Sequence, residues 1–581
     1  MKEFLKYTFA TVCGLIVFMV LCSVMMVFSI AGIAISGAGD AKTEVKQHSV
    51  YKLDLDGVVS EQTAQNEYSA LFADALGRSN DKEYGLDDIL RNIRLAKRND
   101  KIDGIYLCGG NLSAGFAQRQ EIRRALADFR ESGKFVVAYA DSYSQGNYWL
   151  ASVADKLYVN DYGGVDWSGL SSSIMFYRRA LEKLGIEMQV LKVGTYKSAV
   201  EPYVNTEMSE ANREQMNVLL GDLWDEVKKD VAASRGLTVE KLSELADRQM
   251  MLVEPSELVA EGLVDSLIYS QDIKVILEQL TGTENYHVLN HSEMLNVPSK
   301  EKSRSDKVAV IYAEGAISDN GSDGIVGKKM VKLIDKLRKK DEIKAVVLRV
   351  NSPGGSAYAS EQIWHALELL KAEKPLVVSM SDYAASGGYY ISCGADYIYA
   401  EENTLTGSIG IFGLVPNVSG LRDKLGLDID GVGTNKLSQL QTNMIYKGMN
   451  DEERELMQAE INRGYERFVS RCAEGRGMST KDIKQIAEGR VWSGKRAVEL
   501  GLVDGIGNLA DAIKLASEKA ELDKYSVSTY PDATDKWMDI LNSLIGQDDE
   551  ERVLLSKVKE IRQLMREPSL RAELPYKIYI R

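Results

Sequence analysis

One domain is written twice along this chain. DKIDGIYLCG at 100–109 returns as DEIKAVVLRV at 341–350, and KFVVAYADSYSQGNYWLASVADKLYV at 134–159 returns as KPLVVSMSDYAASGGYYISCGADYIYA at 374–400. Asp100, Asp141 and Ala154 meet Asp341, Asp382 and Ala395 at a shift of 241, while Lys197 and Gly262 meet Lys436 and Gly501 at 239. A period this long signals domain duplication rather than a solenoid of short repeats. Two copies can divide labour. At the shift of 241, Ser386 (in AASGGYY) falls opposite Gln145 (in YSQGNYW), so one copy presents a hydroxyl that the other lacks.

Within each copy, strand-like runs such as IDGIYLCG and KFVVAYA alternate with helical stretches such as LDDILRNIRLAKRN and RQEIRRALADFRES. That alternation predicts βαβ units around a largely parallel sheet. The first copy is expected over 48–289, a polar linker over 290–306 and the second copy over 307–530. The tail, 531–581, has apolar residues at helical spacing (Trp537, Ile540, Leu541, Leu544) and reads as packing helix.

The first 47 residues form a separate segment. No charged residue occurs from Tyr7 to Gly39, which exceeds the h-region of a cleavable signal and suffices for a spanning helix. Lys2 and Lys6 favour a cytoplasmic N-terminus, which would put the folded body in a periplasmic or extracytoplasmic space. The alternative is a long cleaved signal, with GIAISGAGDA offering small residues to a peptidase. A net charge of −14 argues against nucleic acid as a partner. The five cysteines have neither metal-ligand nor redox spacing, so no metal, cofactor or disulfide framework is expected.

A nucleophilic serine needs a base. The chain has four histidines, His48, His287, His291 and His365, and a Ser-His-Asp triad would require one of them to reach Ser386 in space. Lysine is the other activator, provided that burial pulls its pKa down. The glycines after Ser386 suit a tight strand-to-helix turn, with the N–H of Gly387 at the hydroxyl. The PGG turn lets backbone approach a carbonyl closely, so Gly354 or Gly355 is a candidate second donor.

The segments RVNSPGGSAYAS (349–360), SDYAASGGYYIS (381–392), LTGSIGIFG (405–413) and KVGTYKSAVEPY (192–203) resemble the signal peptide peptidase A family in its long, tandem-domain form. The resemblance covers about residues 45 to 520. It implies the crotonase-like α/β fold shared with the Clp protease subunit. It also implies a Ser-Lys dyad with Ser386 as nucleophile, Lys197 as base and Ser408 as the hydroxyl that orients the lysine. Lys436 is the equivalent lysine of the second copy, but it continues into LSQLQT where Lys197 continues into the family's SAVEPY. The first copy has Ser113 and Ala114 opposite Gly354 and Gly355, and Trp167 or Ser168 opposite Ser408.

The function this implies is a bacterial inner-membrane serine endopeptidase that degrades cleaved signal peptides and other short or unfolded apolar peptides. The family's assembly implies a homotetramer whose sites face an inner cavity. Two other readings share the fold: a crotonase-type acyl-CoA enzyme, which needs no serine–lysine pair, and an inactive scaffold.

Overall fold

A computed structural model describes residues 42–63, 82–298, 304–321, 323–531 and 571–573, together with Gly14 and Phe18. Apart from Gly14 and Phe18, the uncharged run expected as an anchor lies outside the described residues, as do the apolar residues expected as tail helix, Trp537 to Leu544.

Seven strands of the first copy are β1 (Ser49–Asp54), β2 (Ile102–Cys108), β3 (Phe135–Ala140), β4 (Lys156–Val159), β5 (Glu187–Lys192), β6 (Ser266–Leu267) and β7 (His287–Leu289). Six of them form a parallel sheet in the order β7-β1-β2-β3-β4-β6. The second copy supplies β8 (Lys307–Glu314), β9 (Ile343–Ser352), β10 (Gly354–Ser356), β11 (Leu376–Ala385), β12 (Tyr397–Ala400), β13 (Leu405–Gly407), β14 (Phe412–Asn417), β15 (Gly505–Ile506) and β16 (Ser526–Tyr530). Its sheet contains the run β16-β8-β9-β11-β12-β15, the same order, and is extended beside β11 by β13 and then by Val491–Ser493. The chain is thus α/β with tandem duplicated domains. Both faces of each sheet are covered, so central strands read as unbroken apolar runs; six consecutive residues of β8, Val308 to Ala313, are buried.

Helices α1 (Leu86–Arg98), α2 (Phe116–Arg130), α3 (Gln145–Ala151), α4 (Glu210–Arg235) and α5 (His291–Leu295) belong to the first half. Helices α6 (Ala357–Lys371), α7 (Gly387–Ser392) and α8 (Asp451–Arg476) belong to the second. The long pair α4 and α8 have the same length, 26 residues. Each starts at a side-chain cap, Ser209 or Asn450, and each stops at a left-handed glycine, Gly236 or Gly477. The stretch expected as linker, 290–306, opens with α5: Asn290 caps it and Met294 is buried against the first copy, so its start is packed structure.

One strand does not stay with its own copy. β5 leaves the first domain and pairs antiparallel with β14 of the second, from Phe412↔Lys192 to Asn417↔Glu187. A last strand, β17 (Arg571–Glu573), lies between β10 and β14, antiparallel to both, with Gly354 opposite Glu573 and Phe412 opposite Arg571.

Candidate active site

Two register facts bring three polar side chains together. β11 and β13 are parallel neighbours with Ala385 opposite Gly407, so the next residues along, Ser386 and Ser408, emerge side by side. β5 runs antiparallel to β14, and the backbone contact continues past the strand end through Val193 N–H to Ile411 O (3.1 Å). The chain after β5 therefore folds back over the residues before β14, and Lys197 arrives at the two serines.

Lys197 Nζ lies 2.8 Å from Ser386 Oγ, 2.9 Å from Ser408 Oγ and 3.1 Å from the Ser408 carbonyl oxygen. All three residues are fully buried. The Ser408 hydroxyl can donate to Gly489 O at 3.3 Å and accept from the lysine. Nζ is thus within hydrogen-bonding distance of both serine hydroxyls at once. Lys436 is placed quite differently. Its side chain is 74% exposed and ion-paired to Glu452 at 2.6 Å.

Ser386 sits at φ +57°, ψ −113°, a backbone conformation that costs a non-glycine residue energy and concentrates at functional turns. Its N–H is held by Gly407 O (2.8 Å), and α7 begins at the next residue. As first residue of that helix, Gly387 has an N–H with no partner inside the helix. Of the PGG turn, the Gly354 N–H donates to Ser352 Oγ (3.2 Å). Gly355 sits at φ +154°, and any Cβ there would lie 2.0 Å from Ile317 O. The Gly355 nitrogen is 3.2 Å from where a Cβ on Gly387 would stand, so the two backbones pack closely against each other.

The equivalent place in the first copy is built differently. Gln145 starts α3 where Ser386 precedes α7, and its Oε1 accepts from the N–H groups of Ser168 (2.9 Å) and Gly169 (2.8 Å). The position that holds a buried hydroxyl in one copy holds a buried, hydrogen-bonded amide in the other. The histidines are engaged elsewhere: His48 with Asp103, and His291 with Tyr51 and Asn92. His365 is exposed on α6, beside Trp364.

A buried charge cluster locks the copies together. Arg349 of β9 contacts Glu61 (2.7 Å) and Glu121 (2.6 Å) of the first copy, and Ser379 and Ser381 of its own. Burial opposes ionisation of Glu61, but Arg349 and hydrogen bonds from Ser381 and Gln118 hold its pKa below the ordinary value. Asp382, four residues before Ser386, accepts from Ala117 N–H (2.8 Å) and Gln118 N–H (3.2 Å) at the start of α2. Burial, with the Glu61 charge adding, pushes Asp382 up to about 7. This cluster was not singled out from the sequence. The signal was there, as Arg349 and Asp382 are charges flanked by apolar runs within their strands.

The Peptidase family S49 pattern matches residues 128–284 and 368–523, and the Clp protease pattern matches 299–404. The chain is 36% identical to "Protease 4" of Salmonella typhi over 89% of its own length and 85% of that protein. It is 33% identical to "Protease 4" of Haemophilus influenzae, with 89% and 87% covered. It is 30% identical to "Serine protease SPPA, chloroplastic" of Arabidopsis thaliana, with 82% and 70% covered.

Proposed function

The chain belongs to peptidase family S49, and from that premise we propose that it is a serine endopeptidase working through a dyad of Ser386 and Lys197. The observation that carries this reading is the 2.8 Å contact between the lysine amine and the serine hydroxyl at a buried, strained turn. Lys197 takes the Ser386 proton as Oγ attacks a peptide carbonyl. The N–H groups of Gly355 and Gly387 face the oxyanion that forms, and Ser408 keeps the amine directed at Ser386. The resulting ammonium gives its proton to the departing amine. Water then enters, loses a proton to Lys197 and hydrolyses the acyl-enzyme.

The substrates in this reading are cleaved signal peptides and other short or unfolded apolar chains, bound extended between β10 and β14. β17 supports that mode, since it already lies there as an antiparallel strand. An acyl-CoA enzyme would have no use for the dyad. The uncharged run to Gly39 supports a membrane anchor, with the body periplasmic.

A homo-oligomer, a tetramer in this reading, is supported by what the duplication leaves over. The first copy's arm, from Gly185 to Lys197, docks on β14 of the second. The corresponding pieces are the arm from Gly426 to Lys436 and the first-copy edge at 171–176, and among the described residues neither forms a strand. They expose Leu427, Val432 (99%) and Met175 (70%). Joining arm to edge between chains repeats the internal contact head to tail and closes a ring.

The test is a serine-directed fluorophosphonate probe on the full-length protein, read by intact mass. One adduct is expected on the wild type and none on Ser386→Ala, which should also fail to cleave a synthetic signal peptide. Normal turnover by Ser386→Ala would end the proposal.

A further inference from the structure

The turn Glu488–Gly489–Arg490 touches both loops that build the dyad. Glu488 Oε2 accepts from Thr195 N–H (3.0 Å) and Thr195 Oγ1 (2.6 Å), and the Glu488 carbonyl accepts from Tyr196 N–H (2.9 Å). These two residues immediately precede Lys197. On the other side, Gly489 O accepts from Ser408 Oγ, Gly489 N–H donates to Ile409 O (2.8 Å), and Arg490 O accepts from Ser408 N–H (2.6 Å). The Arg490 guanidinium lies 4.6 Å from the ring centres of both Tyr196 and Trp492, and pairs with Glu214 at 3.0 Å.

Two features show that the turn is fitted to its task. Glu488 is held at φ +57°, which a side-chain-bearing residue adopts only when its surroundings impose it. At Gly489 a Cβ would come within 2.6 Å of Lys197 Cβ and 2.8 Å of its Cα and nitrogen, so backbone packs directly on the base-bearing residue. The first copy keeps the turn without the fit. At the shift of 239, Gln249 also has a left-handed φ, +55°, but the bulky, buried Met250 follows where Gly489 stands.

We propose that Glu488–Gly489–Arg490 is a positioning clamp for the base, with the Glu488 carboxylate as its pin. It fixes residues 194–197, which come from the other copy, so that Nζ meets both serine hydroxyls. Glu488 is a positioning residue: it acts on Lys197 through Thr195 and Tyr196. The inference rests on the reading of Lys197 as base.

The experiment compares full-length wild type, Glu488→Ala, Glu488→Gln, Thr195→Val and Ser386→Ala. Five quantities are read: kcat, KM, the activity–pH profile, the rate of fluorophosphonate labelling and Tm. Loss of the pin should lower kcat and labelling by roughly 10- to 100-fold in Glu488→Ala, the scale expected when a catalytic group drifts by about 1 Å. KM and Tm should barely move, and the acidic limb of the pH profile should be displaced. Glu488→Gln keeps an acceptor oxygen and should retain most activity. Thr195→Val removes one donor from the opposite side and should change the same quantities less, which keeps the test available if Glu488→Ala does not fold. Wild-type kcat and labelling in Glu488→Ala, or equal loss in the Gln and Ala variants, would overturn the clamp. Ser386→Ala separates the two ideas. If it is silent while Glu488→Ala behaves normally, the clamp alone falls; if it still turns over substrate, the dyad falls.

Discussion

Lys197 and Ser386 are 189 positions apart in the chain and 2.8 Å apart in space, and each lies in a different copy of the duplicated domain. The strand that spans this separation is β5, which is built by the first copy but hydrogen-bonded into the second.

Lys197→Ala should lower kcat by roughly 10²–10⁴-fold, the usual worth of a general base. Lys436→Ala should leave kcat unchanged, because that lysine is solvated and paired with Glu452. Steady-state kinetics on a short peptide decides between them, and loss of activity in the Lys436 variant alone would reverse the division of labour.

Neither copy should work by itself. A soluble fragment spanning 307–530 carries Ser386 and Ser408 but not Lys197, and it should neither label with a fluorophosphonate nor cleave peptide. Turnover by that fragment would mean that Lys436, or another base of the second copy, serves Ser386.

Asp382 gives a pH prediction whose sign can be worked out. Its folded pKa, about 7, lies above the ordinary 3.8, so the folded protein binds this proton more tightly than the unfolded chain does. The resulting stability is fully present below about 4 and is lost as pH rises through about 7. Asp382→Asn keeps an oxygen for the α2 amides without burying a charge. It should match wild type near pH 4 and exceed it at pH 8, by up to a few kcal/mol. Thermal unfolding across that range measures it, and a gap that does not widen with pH would refute it.

The strand β17 predicts competition for the cleft. A chain ending at residue 570 should show a lower KM for a short peptide, by roughly two- to tenfold, since a tethered segment competes at high local concentration but pairs weakly. Its kcat should hold. Unchanged KM would mean that the strand does not occupy the substrate's place in solution.

If the proposed assembly forms, Val432→Glu and Met175→Glu should each reduce it to single chains in light scattering, because each puts a charge into the proposed arm-to-edge contact. A native mass unaffected by both substitutions would rule that contact out.

Much of the fold was legible because duplication prints itself twice and buried parallel strands print as apolar runs. Ser386 stood out as a hydroxyl missing from the other copy, and the glycines around it pointed to the turn. The two lysines were not separable by local physics, since GTYK and GTNK look alike. What distinguishes them is β5 pairing with β14, a contact between copies that no periodicity encodes. The Arg349–Glu61 pair joins residues on different domains for the same reason. Residues 291–295 read as linker because they are polar, yet capping by Asn290 and burial of Met294 make them a helix.

Because β5 must find β14, the site has a time of birth. A chain emerging from the ribosome completes the lysine-bearing half first, and the serine-bearing half exists only later. Until the second domain has folded far enough to receive β5, the unfinished and still cleavable chain holds no working peptidase. With the proposed dyad, completion of its own fold is what arms the enzyme.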